Sequence, residues 1–148
     1  KKLSKEWEGW HSCLRNEWEG IAILQKPLEN NYSNTFLKYQ TGVFKTNINS
    51  EKFQSNILEN FKFSNNDKVN AHCTVKPLSL MTYLVKMLVP PSPDTLLLDP
   101  FAGVGSTLIG AKKNNINYVG IEIEPDYIKV AKNRIKKIFL QRSFLDDF

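Results

Sequence analysis

A glycine-containing turn between two apolar segments has the clearest potential for chemistry in this sequence. It reads Asp99-Pro100-Phe101-Ala102-Gly103-Val104-Gly105-Ser106-Thr107 and follows the apolar run at 95–98. Gly103 and Gly105 lack a Cβ, so they can take positive φ values and let the backbone approach a ligand. A helix that begins after such a turn offers backbone N–H groups to the same ligand. We therefore expect a binding site at this turn.

Two acidic residues indicate which ligand would suit the turn. Glu122 ends the next apolar segment, where it could accept hydrogen bonds from both hydroxyls of a ribose. The Asp99 carboxylate would repel a pyrophosphate but suits a cationic ligand such as S-adenosylmethionine. Leu108 replaces the third glycine of the dinucleotide fingerprint. These residues favour a cationic nucleoside cofactor; the plainer alternative makes Asp99 a loop cap and Glu122 an ordinary strand-end acid.

The turn belongs to a predicted strand-helix-strand-helix unit, which makes the fold class α/β. Residues 95–98 have the length and branching of a strand covered on both faces, and residues 118–123 form the next strand. Helices are predicted over 77–89, opened by Pro77, over 107–113, and from Pro125 onward. A right-handed crossover would make the two strands parallel neighbours. The last helix is expected to bury Ile128, Ala131, Ile135 and Ile138 and to expose Lys129, Lys132, Lys136 and Lys137.

The first 70 residues carry weaker signals. Residues 1–28 hold all three tryptophans and the apolar run at 21–24, which predicts a buried strand. Residues 29–70 are rich in asparagine and interleave lysines with aromatic residues, which predicts an irregular insertion with one short helix near 52–60. Such a segment could contact phosphates and stack beside an opened base pair. The alternative is a solvated linker with a few core aromatics.

Composition limits the class of protein. The chain has 148 residues, of which 41% are hydrophobic and 24% charged, as in ordinary globular domains. It has neither an apolar run of membrane-spanning length nor a secretion signal at its first residues, so we expect a cytoplasmic protein. A net charge of +5 suits a polyanionic partner without proving one. Cys13 and Cys73 are expected to be reduced, and their spacing from His11 and His72 does not fit zinc, so no metal is expected.

Three motifs together resemble the amino-group DNA methyltransferases, which modify adenine N6 or cytosine N4. The match is to the carboxyl-terminal part of the permuted (beta-type) subgroup, in which the catalytic motif precedes the cofactor motifs. A more diffuse similarity covers residues 7–28, including Glu17 and Glu19, and corresponds to the segment before the target-recognition region. The motifs occur in the family's order and spacing as His72-Cys73-Thr74-Val75-Lys76-Pro77-Leu78, then the turn at 98–107, then Tyr118-Val119-Gly120-Ile121-Glu122 with Pro125-Asp126-Tyr127.

The resemblance implies a three-layer Rossmann-like fold that binds S-adenosylmethionine and is incomplete in this chain. It implies that Glu122 holds the ribose and that Lys76 pairs with the carboxylate of the cofactor, where Thr74 can also donate a hydrogen bond. A solvated surface charge is the alternative for Lys76. The full set of implied cofactor-binding residues is Thr74, Lys76, Pro77, Asp99, Phe101, Gly103, Gly105 and Glu122.

The family's catalytic signature is absent from residues 1–148. That signature is Asp, Asn or Ser followed by Pro-Pro and an aromatic residue, which together polarise the target amine and stack on the flipped base. Val89-Pro90-Pro91-Ser92 has the two prolines without either neighbour, so we interpret it as a linker that ends a helix. Because the chain also starts at Lys1 and has few strands, we expect a carboxyl-terminal piece with no catalytic residues of its own. These would come from an upstream segment or a partner chain.

The resemblance implies methyl transfer to adenine N6 in double-stranded DNA, in a restriction-modification system. In this interpretation residues 1–28 end the catalytic half, residues 29–70 form a target-recognition insertion, and residues 71–148 bind the cofactor. The alternatives are a cytosine N4 methyltransferase, a non-catalytic DNA-binding remnant, and a fragment of a nicotinamide-dependent oxidoreductase. An oxidoreductase would leave the Thr-Val-Lys-Pro block at 74–77 without a purpose.

Overall fold

The computed structural model describes residues 5–13, 18–48, 53–63 and 75–146, with side chains of the last helix described as far as residue 138. The predicted strand-helix-strand-helix unit is present and is preceded by two further helices. In chain order the elements are α1 (Tyr32–Tyr39), α2 (Leu78–Leu88), β1 (Leu96–Asp99), α3 (Ser106–Lys113), β2 (Asn117–Gly120) and α4 (Pro125–Asp146).

The two strands pair in parallel, as the sequence predicted. Leu97 lies opposite Tyr118, and Asp99 lies opposite Gly120. Alternate residues of a strand point to opposite faces, so Leu97 and Tyr118 share one face of the sheet. That face packs against a buried cluster of Val85 from α2, Ala111 from α3 and Ile116. The apolar core therefore lies between the sheet and these two helices.

The opposite face of the sheet is open to solvent among the described residues. Leu96 is 60% exposed and Leu98 is 57% exposed, while Val119 on β2 is 44% exposed. The expectation that residues 95–98 are covered on both faces is therefore wrong, because α2 and α3 pack on the other face. The described part of the chain is a sheet with one helical layer, as in an incomplete Rossmann-like fold.

Helices α2 and α3 approach each other closely at a glycine. A Cβ on Gly110 would lie 3.0 Å from both the carbonyl carbon and the carbonyl oxygen of Met81. The Asn114 side chain caps the arrangement, donating from Nδ2 to the Thr82 carbonyl at 3.1 Å and to the Gly110 carbonyl at 2.9 Å. The end of α3 is thus tied to the middle of α2.

The boundaries of the later helices follow the predicted signals. Pro77 immediately precedes α2, and its carbonyl accepts from the Met81 N–H at 3.1 Å. On α4 the lysines at 129, 132, 136 and 137 are exposed, as predicted, whereas of the four residues expected to be buried only Ala131 is buried and Ile128, Ile135 and Ile138 are half-buried. No helix in the described ranges combines the length and the apolarity needed to cross a bilayer.

Two predictions for the first 70 residues, a strand at 21–24 and a helix near 52–60, disagree with the structure. Residues 21–24 form no strand, and Leu24 is 91% exposed. A strand needs backbone partners, and in the described sheet β1 and β2 pair only with each other. The predicted helix near 52–60 is also wrong over 53–60. A helix forms instead at α1, where the Asn31 side chain accepts from the Asn34 N–H at 2.8 Å and acts as its N-cap.

Parts of the predicted insertion pack directly on α2. The Phe61 and Tyr83 rings lie 5.2 Å apart between centroids, and the Tyr83 hydroxyl donates to the Gln54 side chain. The Lys45 N–H donates to the Met87 carbonyl at 2.9 Å. Lys45, Gln54 and Phe61 therefore each contact α2, the helix that follows the Thr-Val-Lys-Pro block.

Candidate functional site

The ends of the two strands meet at one edge of the sheet. Beyond the regular pairing, the Ile121 N–H donates to the Asp99 carbonyl and the Ala102 N–H donates to the Ile121 carbonyl, both at 2.8 Å. These bonds hold the turn after β1 against the segment after β2. Open α/β sheets bind their ligands at this carboxyl edge. Asp99 and Glu122, the two acidic residues singled out in the sequence, therefore both lie at this edge of the sheet.

The Glu122 carboxylate is clamped by backbone on both sides. Its Oε2 accepts from the Gly103 N–H at 2.7 Å, and its Oε1 accepts from the Glu124 N–H at 2.9 Å. The side chain is half-buried, so its direction is fixed by the turn it contacts. An acidic group held in this way can orient a hydroxyl-bearing ligand.

Asp99 caps the turn, as its plainer interpretation required. Its Oδ1 accepts from the Phe101 N–H at 3.0 Å, which forms a local side-chain turn. Beside it the Phe101 ring is 87% exposed, and beyond Glu122 the Ile123 side chain is 95% exposed. Two apolar side chains thus stand next to two anionic ones.

The two glycines of the turn have different surroundings. Gly103 has φ +51° and donates its N–H to Glu122, so it lies on the side of the turn that faces Glu122. Gly105 has φ +80°, and a Cβ there would lie 3.0 Å from the Ala131 Cβ on α4. The missing side chain of Gly105 therefore permits helix packing. Its contribution to a cofactor pocket stays a prediction.

The structure pairs Lys76 with a partner that the sequence did not suggest. Its ammonium group donates to the Glu19 carboxylate, and both side chains are about half exposed or more. No hydrogen bond within the described ranges links Lys76 to the turn after β1. Pro77 follows as the residue before α2. Thr74 lies outside the described residues, so its predicted role stays a prediction.

Arg134 is a site residue that the sequence analysis missed. From α4 its Nη1 donates to the Val104 carbonyl at 2.7 Å and to the Ser106 Oγ at 3.2 Å. The turn is therefore held by two charged side chains: Arg134 binds it at Val104 and Ser106, and Glu122 binds it at Gly103. The signal available in the sequence was an arginine three residues after Ala131, on the inward side of the predicted helix.

The charged groups near the start of α4 form a local pair. Lys129 Nζ lies 2.8 Å from Asp126 Oδ1, and this hydrogen bond lowers the pKa of the Asp126 carboxyl and raises the pKa of the Lys129 ammonium. Both side chains are exposed. Within the described ranges no group of three or more His, Cys, Asp or Glu side chains could hold a metal ion.

Comparison with known proteins identifies the class to which this fold and site belong. A model of the N6/N4 methyltransferase family, described as DNA methylase, matches residues 3–133. The chain therefore belongs to the DNA methylase family, which confirms the resemblance found in the motifs. The permuted subgroup stays a prediction.

Particular relatives include the type II methyltransferase M.HindIII of Haemophilus influenzae, 31% identical over 142 residues covering 89% of this chain and 45% of that protein. The type II methyltransferase M.HinfI of Haemophilus influenzae is 44% identical over 68 residues, covering 46% of this chain and 18% of that protein. Among solved structures, the M1.HpyAVI complex with SAM is similar at a TM-score of 0.47 and 32% identity, covering 62% of this chain and 42% of that chain. The chain spans less than half the length of these curated relatives.

Proposed function

We propose that the protein containing these residues transfers a methyl group from S-adenosylmethionine to adenine N6 in double-stranded DNA, within a restriction-modification system. Cytosine N4 is the second candidate target, and membership of the DNA methylase family fits both. One observation carries the proposal. At the carboxyl ends of the two strands, the Glu122 carboxylate accepts a hydrogen bond from the Gly103 N–H, in the turn that begins at Asp99.

The site fits the charge of this cofactor. S-adenosylmethionine carries a positive sulfonium and a positive amino group, and Asp99 supplies a carboxylate of opposite sign. Glu122 would accept from the ribose hydroxyls, and Phe101 would form part of the pocket wall. Lys76 and Thr74 would hold the carboxylate of the cofactor, with Pro77 fixing the chain direction. The turn itself is completed by Gly103 and Gly105.

The chemistry asked of these residues is positioning. The bound cofactor would supply a methyl group on sulfur that is already strongly electrophilic. The residues of this chain then need to bind it, fix its orientation and exclude water, and such in-line positioning supplies much of the rate. No general base with a displaced pKa is required on this chain.

We further propose that residues 29–70 contact the DNA target. In their described part, Phe53 is 85% exposed and Phe63 is 63% exposed, with the lysines at 45 and 62 also exposed. Exposed aromatic rings can stack on bases, and lysines can contact phosphates. In this proposal residues 1–28 end the catalytic half and residues 71–148 bind the cofactor. A DNA substrate also implies a cytoplasmic location.

The catalytic residues in this proposal lie outside residues 1–148, in the permuted arrangement or on a partner chain. The sequence has one Pro-Pro pair, Pro90-Pro91, which comes directly after Val89 at the end of α2 and lacks the flanking polar and aromatic residues. We therefore expect this chain alone to bind the cofactor without transferring its methyl group. Methyl transfer to duplex DNA by residues 1–148 alone would contradict this point.

Calorimetric titration tests the cofactor assignment. We expect S-adenosylmethionine and its demethylated product to bind more tightly than NADH, because the site is anionic. Tighter binding of NADH would contradict the proposed methyltransferase function and would favour an oxidoreductase.

The role of Asp99 is tested by two variants. Asp99→Asn keeps an oxygen able to accept from the Phe101 N–H but removes the charge, whereas Asp99→Ala removes both. We expect both variants to lose most of the affinity for S-adenosylmethionine. Asp94→Asn, at an exposed aspartate before β1, is the matched control. Unchanged affinity in both Asp99 variants would show that Asp99 does not bind the cofactor, whereas a wild-type chain that does not bind S-adenosylmethionine would favour a DNA-binding remnant.

A further inference from the structure

The Lys76–Glu19 ion pair joins two segments 57 positions apart and involves the lysine proposed to bind the cofactor. Lys76 side-chain exposure is 47% and that of Glu19 is 67%. Ion pairs this exposed contribute little to folding stability. The pair can therefore exchange partners at low cost, and its position needs an explanation other than stability.

The two partners differ in how firmly the fold holds them. Lys76 lies between Val75 and Leu78, which are 9% and 7% exposed, so its backbone is anchored at the start of α2. Glu19 follows Trp18, which is 85% exposed, in a segment that forms neither helix nor strand. Glu19 is thus the partner that can leave while Lys76 stays in place.

We infer that Glu19 occupies the carboxylate subsite of the cofactor pocket, so that cofactor binding displaces it from Lys76. This inference rests on the proposed function, in which Lys76 holds the cofactor carboxylate. A glutamate side chain and the amino-acid end of S-adenosylmethionine both present a carboxylate, so one ammonium group can serve either. The ligand gains this contact only by breaking the internal one. Glu19 then lowers cofactor affinity and makes it depend on the position of residues 18–28.

The inference makes a prediction that depends on the ligand's carboxylate. In the full chain, Glu19→Gln removes the competing charge, and S-adenosylmethionine should bind about two- to fivefold more tightly, the range expected for releasing an exposed pair. Decarboxylated S-adenosylmethionine keeps the sulfonium and the amine but lacks the carboxylate. Its affinity should be unchanged in the same variant. Equilibrium dialysis or calorimetry measures both ligands.

Two further variants complete the design. Lys76→Met should weaken the binding of S-adenosylmethionine and bring its affinity close to that of the decarboxylated ligand. Glu59→Gln makes the same charge change at another exposed glutamate and should leave both affinities unchanged. Circular dichroism verifies that each variant folds.

The possible results separate the two proposals. If Glu19→Gln leaves S-adenosylmethionine affinity unchanged or weakens it, Glu19 does not compete and the inference is wrong. An equal gain for both ligands would also overturn it, because the effect would then be a general change in charge. Failure of the wild-type chain to bind either ligand would overturn the proposed function together with this inference.

Discussion

At the scale of single residues, close packing at the turn after β1 depends on a glycine in β2 and not on one in α3. In dinucleotide sites the third glycine gives a helix room to approach its strand. Here that position is Leu108, and the room is supplied from the other side by Gly120 on β2. A Cβ on Gly120 would lie 2.4 Å from Leu108 Cδ1 and 3.1 Å from the Ala102 Cβ. The sheet and α3 therefore meet through a leucine that fills the space above a glycine.

This contact predicts that Gly120→Ala destabilises the fold. Forcing an extra methyl into a packed contact costs about 1–3 kcal/mol, measured as the free energy of unfolding in urea. Gly20→Ala is the control, because the nearest atom to a Cβ there is on Trp18 at 3.7 Å. The control should change stability by less than about 0.5 kcal/mol. Similar losses in both variants would contradict the packing argument.

Arg134 supports the turn from behind and gives a second residue-scale prediction. Arg134→Met removes the donors to the Val104 carbonyl and the Ser106 hydroxyl while keeping an apolar side chain of similar length. We expect a loss of about 2 kcal/mol in the free energy of unfolding, because the donor is charged and part-buried. The affinity for S-adenosylmethionine should fall several-fold, since the turn loses the hydrogen bonds that hold Val104 and Ser106 in place.

Lys136→Met on the exposed side of the same helix is the matched control for Arg134. It removes a positive charge without touching the turn and should leave both quantities nearly unchanged. Wild-type affinity in Arg134→Met would show that the turn keeps its shape without this support.

At the scale of elements, α1 is held by a polar cluster at its start and along one side. The Glu29 carboxylate accepts from Lys38 Nζ at 2.7 and 2.8 Å and from the Tyr39 hydroxyl at 2.5 Å. The buried Thr35 hydroxyl accepts from the Glu29 N–H at 2.9 Å, and Asn31 caps the first turn. A helix of 8 residues is too short to be stable alone, so these contacts define it.

The Glu29 cluster predicts that α1 loosens in acid. The hydrogen bonds from Lys38 and then from Tyr39 hold the pKa of the Glu29 carboxyl below its ordinary value of 4.5. A lowered pKa stabilises the folded form above 4.5, and that contribution is lost as the pH falls through the lowered value. The bond to Glu29 raises the pKa of Lys38, so its contribution is lost only as the pH rises above its ordinary value of 10.5.

NMR measurement of amide exchange or chemical shifts in α1 between pH 7 and pH 3 tests this prediction. The wild-type helix should lose order as Glu29 is protonated, and Glu29→Gln should remove most of that pH dependence. A pH response of the same size in the variant would show that another group titrates.

At the scale of the whole molecule, the described residues form one covered face and one open face of a small sheet. Leu96 and Leu98 lie on the open face with Val119, and Ile121 just beyond β2 is 55% exposed. Contiguous apolar surface of this kind favours association. The chain expressed as residues 1–148 should therefore self-associate as its concentration rises.

The association prediction is tested on the open face itself. Replacing Leu96 and Leu98 by Thr introduces β-branched side chains, which strands accommodate well, and reduces the apolar area, so it should lower self-association in sedimentation velocity. Leu24→Thr with Leu37→Thr is the control, since those leucines are 91% and 77% exposed elsewhere on the surface. A monomeric wild-type chain at high concentration would contradict the prediction, as would equal effects of the two double variants.

The unit from α2 to α4 could be predicted from local signals, because periodicity, prolines and glycines agree there. Pro77 and Pro125 mark helix starts. The two strands were predicted at 95–98 and 118–123, and they lie at 96–99 and 117–120, so the second strand is shorter than predicted. The sequence also places Asp99 and Glu122 at the same edge of the sheet, since parallel strands bring their carboxyl ends to one edge. Membership of the DNA methylase family could likewise be predicted from the motifs.

Contacts between residues far apart in the chain could not be predicted from the sequence and became visible in the three-dimensional structure. The run at 21–24 has the composition of a strand but forms none, because strand pairing requires a neighbour that composition does not specify. Gly105 and Gly120 leave room for Ala131 and Leu108, and Lys76 pairs with Glu19 across 57 positions. Such contacts follow from how elements pack in three dimensions, and no local pattern of residues encodes them.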